Sequence, residues 1–173
     1  YAAGRMTLNP MPHIDPIGTI LLPLVSIFAG GILFGWAKPL PLNFRAFKTR
    51  NDFIKVFAVG PLANIALAFF WGLIFKIATM MDGNSYAVPL AAMAQAGIVI
   101  SAGLAIFNLL PIPPLDGGRI AVALLPQQYG QALASIEPYA FIIILLLVMT
   151  KMLSLLMMPF VTLIVSIIAL FFG

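Results

Sequence analysis

Long apolar runs separated by short polar interruptions dominate this 173-residue chain. Residues 1–19 hold Asn9-Pro10, Pro12, Asp15-Pro16 and Gly18, and read as irregular or short extended structure. The apolar run 20–36 is barely long enough to span a bilayer, and Pro23 with Gly30-Gly31 predicts a short or kinked helix. In 37–52, Pro39 and Pro41 alternate with Leu40 and Leu42, which predicts a membrane-associated extended region. The run 53–81 predicts a spanning helix that carries Gly60-Pro61 and a lone amide, Asn64, and ends at the polar turn Asp82-Gly83-Asn84-Ser85. A second span is expected over 88–110. Its Ala92, Ala96, Gly97, Ser101, Ala102 and Gly103 are small enough to let backbones approach in lipid. Pro111, Pro113 and Pro114 then break the helix just before Asp116-Gly-Gly-Arg119, and 120–135 reads as a short amphipathic or interfacial stretch. Residues 136–172 are almost wholly apolar. As one helix they would reach about 55 Å, so two are predicted, 136–150 and 152–172, turning near Lys151. That makes five hydrophobic segments, four of them full spans, in one region with no repeats or heptads.

Composition turns this pattern into a fold class. Charged residues are 8% of the chain and hydrophobic residues 62%, whereas a soluble domain carries roughly 25% charged residues to cover its surface. The expected fold is an all-α integral membrane bundle, polytopic, with broken helices and a short membrane-associated extended region. Fourteen glycines and fourteen prolines suit close helix contacts and interrupted helices in lipid. The absence of cysteine excludes disulfides, iron–sulfur clusters and thiol nucleophiles from these residues. No signal-peptide pattern precedes Tyr1, and the first residue is not Met, which predicts a fragment or a processed form.

The net charge of +4 is unevenly placed. Lys38, Arg45, Lys48, Arg50 and Lys55 fall together between two apolar runs, against Asp52 alone. A cluster so placed predicts a cytoplasmic loop, 38–55, in a multi-pass protein of the cell membrane. It also predicts contact with anionic membrane lipids rather than nucleic acid.

Few residues could carry chemistry. Lys76 and Lys151 sit near predicted helix ends, where long side chains snorkel to the interface. Glu137 precedes Pro138 at a helix start, where it favours the positive end of the helix dipole. Asp116 follows a programmed helix break, and a carboxylate near hydrocarbon needs a partner that offsets its desolvation. A metal ion, a proton pathway, an ion pair with Arg119 or a capping role at the next helix would each serve. Asn64 and Asn108 bring amides that a low-dielectric setting must satisfy, either between helices or against a substrate backbone.

Two motifs carry a resemblance. Gly60-Pro-Leu-Ala-Asn64 resembles the G-P-x-x-N helix of the site-2 protease family, the intramembrane zinc metalloproteases. Asn108-Leu-Leu-Pro-Ile-Pro-Pro-Leu-Asp-Gly117 resembles the family's N-x-x-P-x-P-x-L-D-G motif. Gly4-Arg-Met-Thr-Leu-Asn-Pro10, His13-Ile-Asp-Pro-Ile-Gly-Thr19 and Gly35-Trp-Ala-Lys-Pro39 resemble its compact bacterial branch. The resemblance implies that zinc is held by two histidines of an H-E-x-x-H helix and by Asp116. It implies that Asn64 and Asn108 help to position substrate, and that residues 35–43 line the substrate path.

H-E-x-x-H does not occur in the 173 residues. The resemblance places it on the helix just before the position of Tyr1, so truncation is the expected cause. These residues then supply one metal ligand and no general base, and should be inactive alone. His13 is expected to be structural. The leading expectation is the C-terminal portion of a zinc-dependent intramembrane endopeptidase acting on transmembrane segments of substrate proteins. A non-catalytic membrane scaffold or binding protein with a degenerate site is the alternative. A small ion-coupled transporter is another, although it would show a repeat of the broken-helix feature.

Overall fold

The computed structural model describes residues 16–21, 24, 49–81 and 84–173, and the chain divides into two compact units, 1–46 and 47–173. In the first unit Pro16–Leu21 forms a π-helix, where turn-rich, irregular backbone is expected from the sequence as far as residue 19. His13, most of the 20–36 segment, the extended region 37–48 and Asp82-Gly83 lie outside the described residues.

The described residues of the second unit are mainly helical, with α1 at Arg50–Thr79, α2 at Ala87–Asn108, α3 at Asp116–Leu124 and α4 at Gln127–Ala134. A 3-10 turn at Glu137–Tyr139 leads to α5 at Ala140–Met149 and α6 at Met152–Phe172. No strand occurs among the described residues. Four stretches are long and apolar enough to cross a membrane: 50–79, 87–108, 127–149 and 152–172. Their outward faces carry large apolar side chains such as Leu170, 85% exposed, and Phe141, 76% exposed. Such surfaces, on helices of spanning length, suit contact with lipid.

Helix α1 starts earlier than the apolar pattern suggests. A capping box starts it: the Asp52 amide donates to Thr49 Oγ1 at 3.2 Å, and the Thr49 amide donates to Asp52 Oδ2 at 3.2 Å. Arg50 and Lys55 are thereby in the first turns of α1, not in the loop 38–55 that the charge cluster predicts. At 30 residues α1 is about 45 Å long, more than the ~30 Å hydrocarbon core requires.

Helices α1 and α2 form an antiparallel hairpin, closed by the Tyr86 amide donating to Asn84 Oδ1 at 2.9 Å. The α2 face turned inward is Ala94, Ile98, Ser101, Ala102 and Ala105, which follows the helical repeat. Ala92 and Ala96, grouped with the small residues on composition, point outward instead. Ala68 of α1, Ile98 of α2 and Ile168 of α6 make the core, with Phe69, Trp71, Phe75 and Phe172 packed around it.

The third apolar stretch, 127–149, is not one helix. Between α4 and α5 the backbone passes through the Glu137–Tyr139 turn, because Pro138 cannot supply the amide a helix interior needs. Helix α5 alone is about 15 Å long.

Candidate metal and substrate site

The proline segment decides where Asp116 goes. Helix α2 stops at Asn108, and Leu110 to Leu115 turn through two tight backbone bonds, Ile112 N to Leu110 O at 2.8 Å and Leu115 N to Ile112 O at 2.9 Å. The Pro113–Pro114 bond is cis, and Pro113 is fully buried. Helix α3 then begins at Asp116, folded back on this turn so tightly that a side chain at Gly117 would meet the Leu109 backbone. One at Gly118 would meet the backbone of Ile112 and Pro113. Both glycines are buried, and hydrogen is the only side chain that permits this approach.

The returning helix docks on α1. A Cβ added to Gly60 would lie 2.7 Å from Asp116 Oδ2, so the Asp116 carboxylate rests in the notch that Gly60 leaves in α1. Asn64 is one turn further along α1, on the same face as Gly60. Asn108 is brought level by the hairpin register. Trp71 of α1 packs over Gly97 of α2, and Gly60 lies as many residues before Trp71 as Asn108 lies after Gly97. Gly60, Asn108 and Asp116 therefore share one level of the bundle, with Asn64 about 6 Å along the helix from it. All three polar side chains are partly buried.

Asp116 is not spent on structure. It is the first residue of α3 rather than its cap, Leu115 holds the cap position, and no side-chain bond closes that end. The capping role open from sequence is therefore excluded. Among the described residues no ion pair joins Asp116 to Arg119, whose Nη2 stands 3.9 Å from Glu137 Oε1. Glu137 thus pairs with Arg119 in addition to starting its turn. Among the described residues no hydrogen bond or ion pair engages the side chains of Asp116, Asn64 or Asn108. Asp116 lies outside the four apolar spans. Partial burial pushes its carboxyl above the ordinary value, and the Arg119 guanidinium draws it partly back.

An uncommitted carboxylate oxygen is a fitting donor for a divalent metal, and Asp116 is well placed to be one ligand. It cannot be the whole site. Among the described residues no three of His, Cys, Asp and Glu come together, and zinc sites take at least three protein ligands.

Sequence reasoning passed over Phe57, which is 5% exposed under the Arg119 guanidinium, with Arg119 Cζ 5.1 Å from the ring centroid. A matched spacing is the only signal for it: Phe57 and Gly60 are three apart, as are Asp116 and Arg119. An apolar cavity of about 140 Å³ lies elsewhere, lined by Gly72, Gln95, Ile168 and Phe172 among others. Gly72 is roughly 18 Å along α1 from Gly60, so this cavity is not part of the polar site.

Comparison with known proteins identifies relatives of the chain. A family model described as peptidase family M50 matches residues 72–151, a range that includes Asn108 and Asp116. "Putative zinc metalloprotease YwhC" of Bacillus subtilis is 39% identical over 165 residues, covering 90% of this chain and 70% of that protein. "Putative zinc metalloprotease Rip2" of Mycolicibacterium smegmatis is 32% identical over 152 residues, covering 87% of this chain and 56% of that protein. Rip2 of Mycobacterium tuberculosis H37Rv, similarly named, is 28% identical over 155 residues, with 87% and 56% covered. No solved structure matches the chain. With a relative this similar along most of both chains, and with the Gly60–Asn64 and Asn108–Gly117 motifs folded against each other, the chain belongs to peptidase family M50, the site-2 protease family.

Proposed function

We propose that the chain forms part of a zinc-dependent intramembrane endopeptidase that cleaves transmembrane segments of substrate proteins. One observation carries the reading. Among the described residues the Asp116 carboxylate makes no hydrogen bond or ion pair, yet it is held in the Gly60 notch level with Asn108. A desolvated carboxylate without a cation would tend to take up a proton, and zinc would hold it ionised.

Asp116 is the one metal ligand this chain contributes, and the remaining ligands and the general base come from outside these residues. Zinc bound there would polarise the scissile carbonyl and lower the pKa of the attacking water. This chain's own residues bind and orient. The Asn64 and Asn108 amides each offer two donors and an acceptor, enough to hold an unwound substrate backbone whose peptide groups have left their helical bonds. Helix α1 begins at the cytoplasmic face of the cell membrane, by the charge rule applied to Lys38 through Lys55.

The test uses the full-length protein. Asp116→Asn keeps the side-chain size and removes the charge. It should lower zinc affinity at least about 100-fold and abolish cleavage of a membrane-reconstituted substrate, whereas residues 1–173 alone should hold no stoichiometric zinc. Retention of one equivalent of zinc and full cleavage by Asp116→Asn would refute the reading. Asn64→Ala and Asn108→Ala should retain zinc and raise KM, as expected of residues that hold substrate rather than metal.

A further inference from the structure

Helix α3 is nine residues long, too short to be stable alone, and no side-chain bond caps it. Its orientation about its own axis is set by what it touches. Asp116 and Arg119 lie on one face of α3, and Gly60 and Phe57 lie at the same spacing on one face of α1. The carboxylate meets Gly60, and the guanidinium lies over the Phe57 ring at 5.1 Å. Phe53 packs against Phe57, with ring centroids 4.5 Å apart, and Glu137 pairs with Arg119 at 3.9 Å. The packing of Gly117 and Gly118 on the Leu109–Pro113 backbone holds α3 at its other side, and a roll about that packing would carry Asp116 out of the notch. Two contacts one turn apart remove that freedom.

We propose that Arg119 is a positioning residue for the metal site: its guanidinium, stacked on Phe57 and steadied by Glu137, sets the roll of α3 that keeps the Asp116 carboxylate in the Gly60 notch. The proposal rests on Asp116 being a zinc ligand. Arg suits the role better than Lys because its planar group can stack on a ring and pair with a carboxylate together.

The experiment measures zinc affinity by chelator competition, kcat and KM across a zinc titration, and thermal midpoint, all in the full-length protein. Arg119→Gln should weaken zinc about 10- to 100-fold, the usual effect of losing a residue that orients a ligand. It should leave KM within twofold, and kcat should recover when zinc is raised to saturation. A loss of fold would not be rescued by zinc. Phe57→Leu keeps an apolar side chain without the ring face; it should weaken zinc in the same direction, and the double variant should be no worse than the poorer single one. Should Arg119→Gln fail to fold, Phe57→Leu and Arg119→Lys carry the test, with Lys restoring only part of the affinity. Unchanged zinc affinity in Phe57→Leu and Arg119→Gln, beside loss in Asp116→Asn, overturns the positioning role alone. Complete restoration by Arg119→Lys also overturns it, since Lys keeps the charge without the planar stack. Zinc retained by Asp116→Asn overturns the metal-site reading, and this proposal with it.

Discussion

At Gly60 the missing side chain creates the site. Alanine there would press on Asp116 Oδ2, the movable end of a side chain, and not on backbone. Gly60→Ala should therefore leave the fold intact, and a mid-helix Gly→Ala change favours helix by roughly 0.5–1 kcal/mol. The same methyl should displace the carboxylate and weaken zinc binding in the full-length protein about tenfold or more. Stability held or raised while metal affinity falls is the signature, and melting curves beside chelator competition would check it. Gly118 behaves oppositely, because its neighbours are the backbone atoms of Ile112 and Pro113. Gly118→Ala should destabilise the protein by about 1–3 kcal/mol, the usual cost of overpacking.

Helix ends determine which elements hold together. The Thr49 capping box fixes the start of α1, and Thr49→Ala should cost about 1 kcal/mol, read as a lower thermal midpoint in detergent. Between α5 and α6, Lys151 has φ of 58°, a left-handed conformation that L side chains resist. Thr150 closes the end of α5 by donating from Oγ1 to Leu146 O at 2.7 Å. Lys151→Gly removes the Cβ strain and should raise stability by up to about 1 kcal/mol, since φ is already in the region glycine prefers. A lower thermal midpoint in that variant would show that the Lys151 side chain contributes more than its backbone strain costs.

At the largest scale, within the second unit, α1, α2 and α6 pack together, and the polar site lies to one side of their core. Lys76 Nζ donates to the Gly173 carbonyl at 3.3 Å, so the last turns of α1 and α6 lie side by side. The α1–α2 hairpin places Arg50 and Asn84 at opposite ends of α1. Single cysteines at Lys48 and Ser85 should therefore label from opposite faces of sealed vesicles, with Lys48 reached from the cytoplasmic side. Labelling of both from the same face would contradict the arrangement.

The chain by itself determined the solvent and the segments. With so few charges no aqueous surface can form, and apolar runs of spanning length announce helices because lipid leaves backbone groups no other partner. Proline breaks announce where helices end, because each proline removes a backbone donor, and so Asn64, Asn108 and Asp116 were legible as unusual residues with a family-like spacing. Their meeting was not legible. Sequence order carries no register, and only the packing of Trp71 over Gly97 brings Asn108 level with Gly60. The pairing of Arg119 with Phe57 and Glu137 rather than Asp116 was equally hidden, because Asp116 and Arg119 stand at a spacing that permits their contact without requiring it. Tertiary packing decided that Arg119 turns to α1 and to the Glu137 turn, leaving the Asp116 carboxylate without an ion pair or hydrogen bond among the described residues.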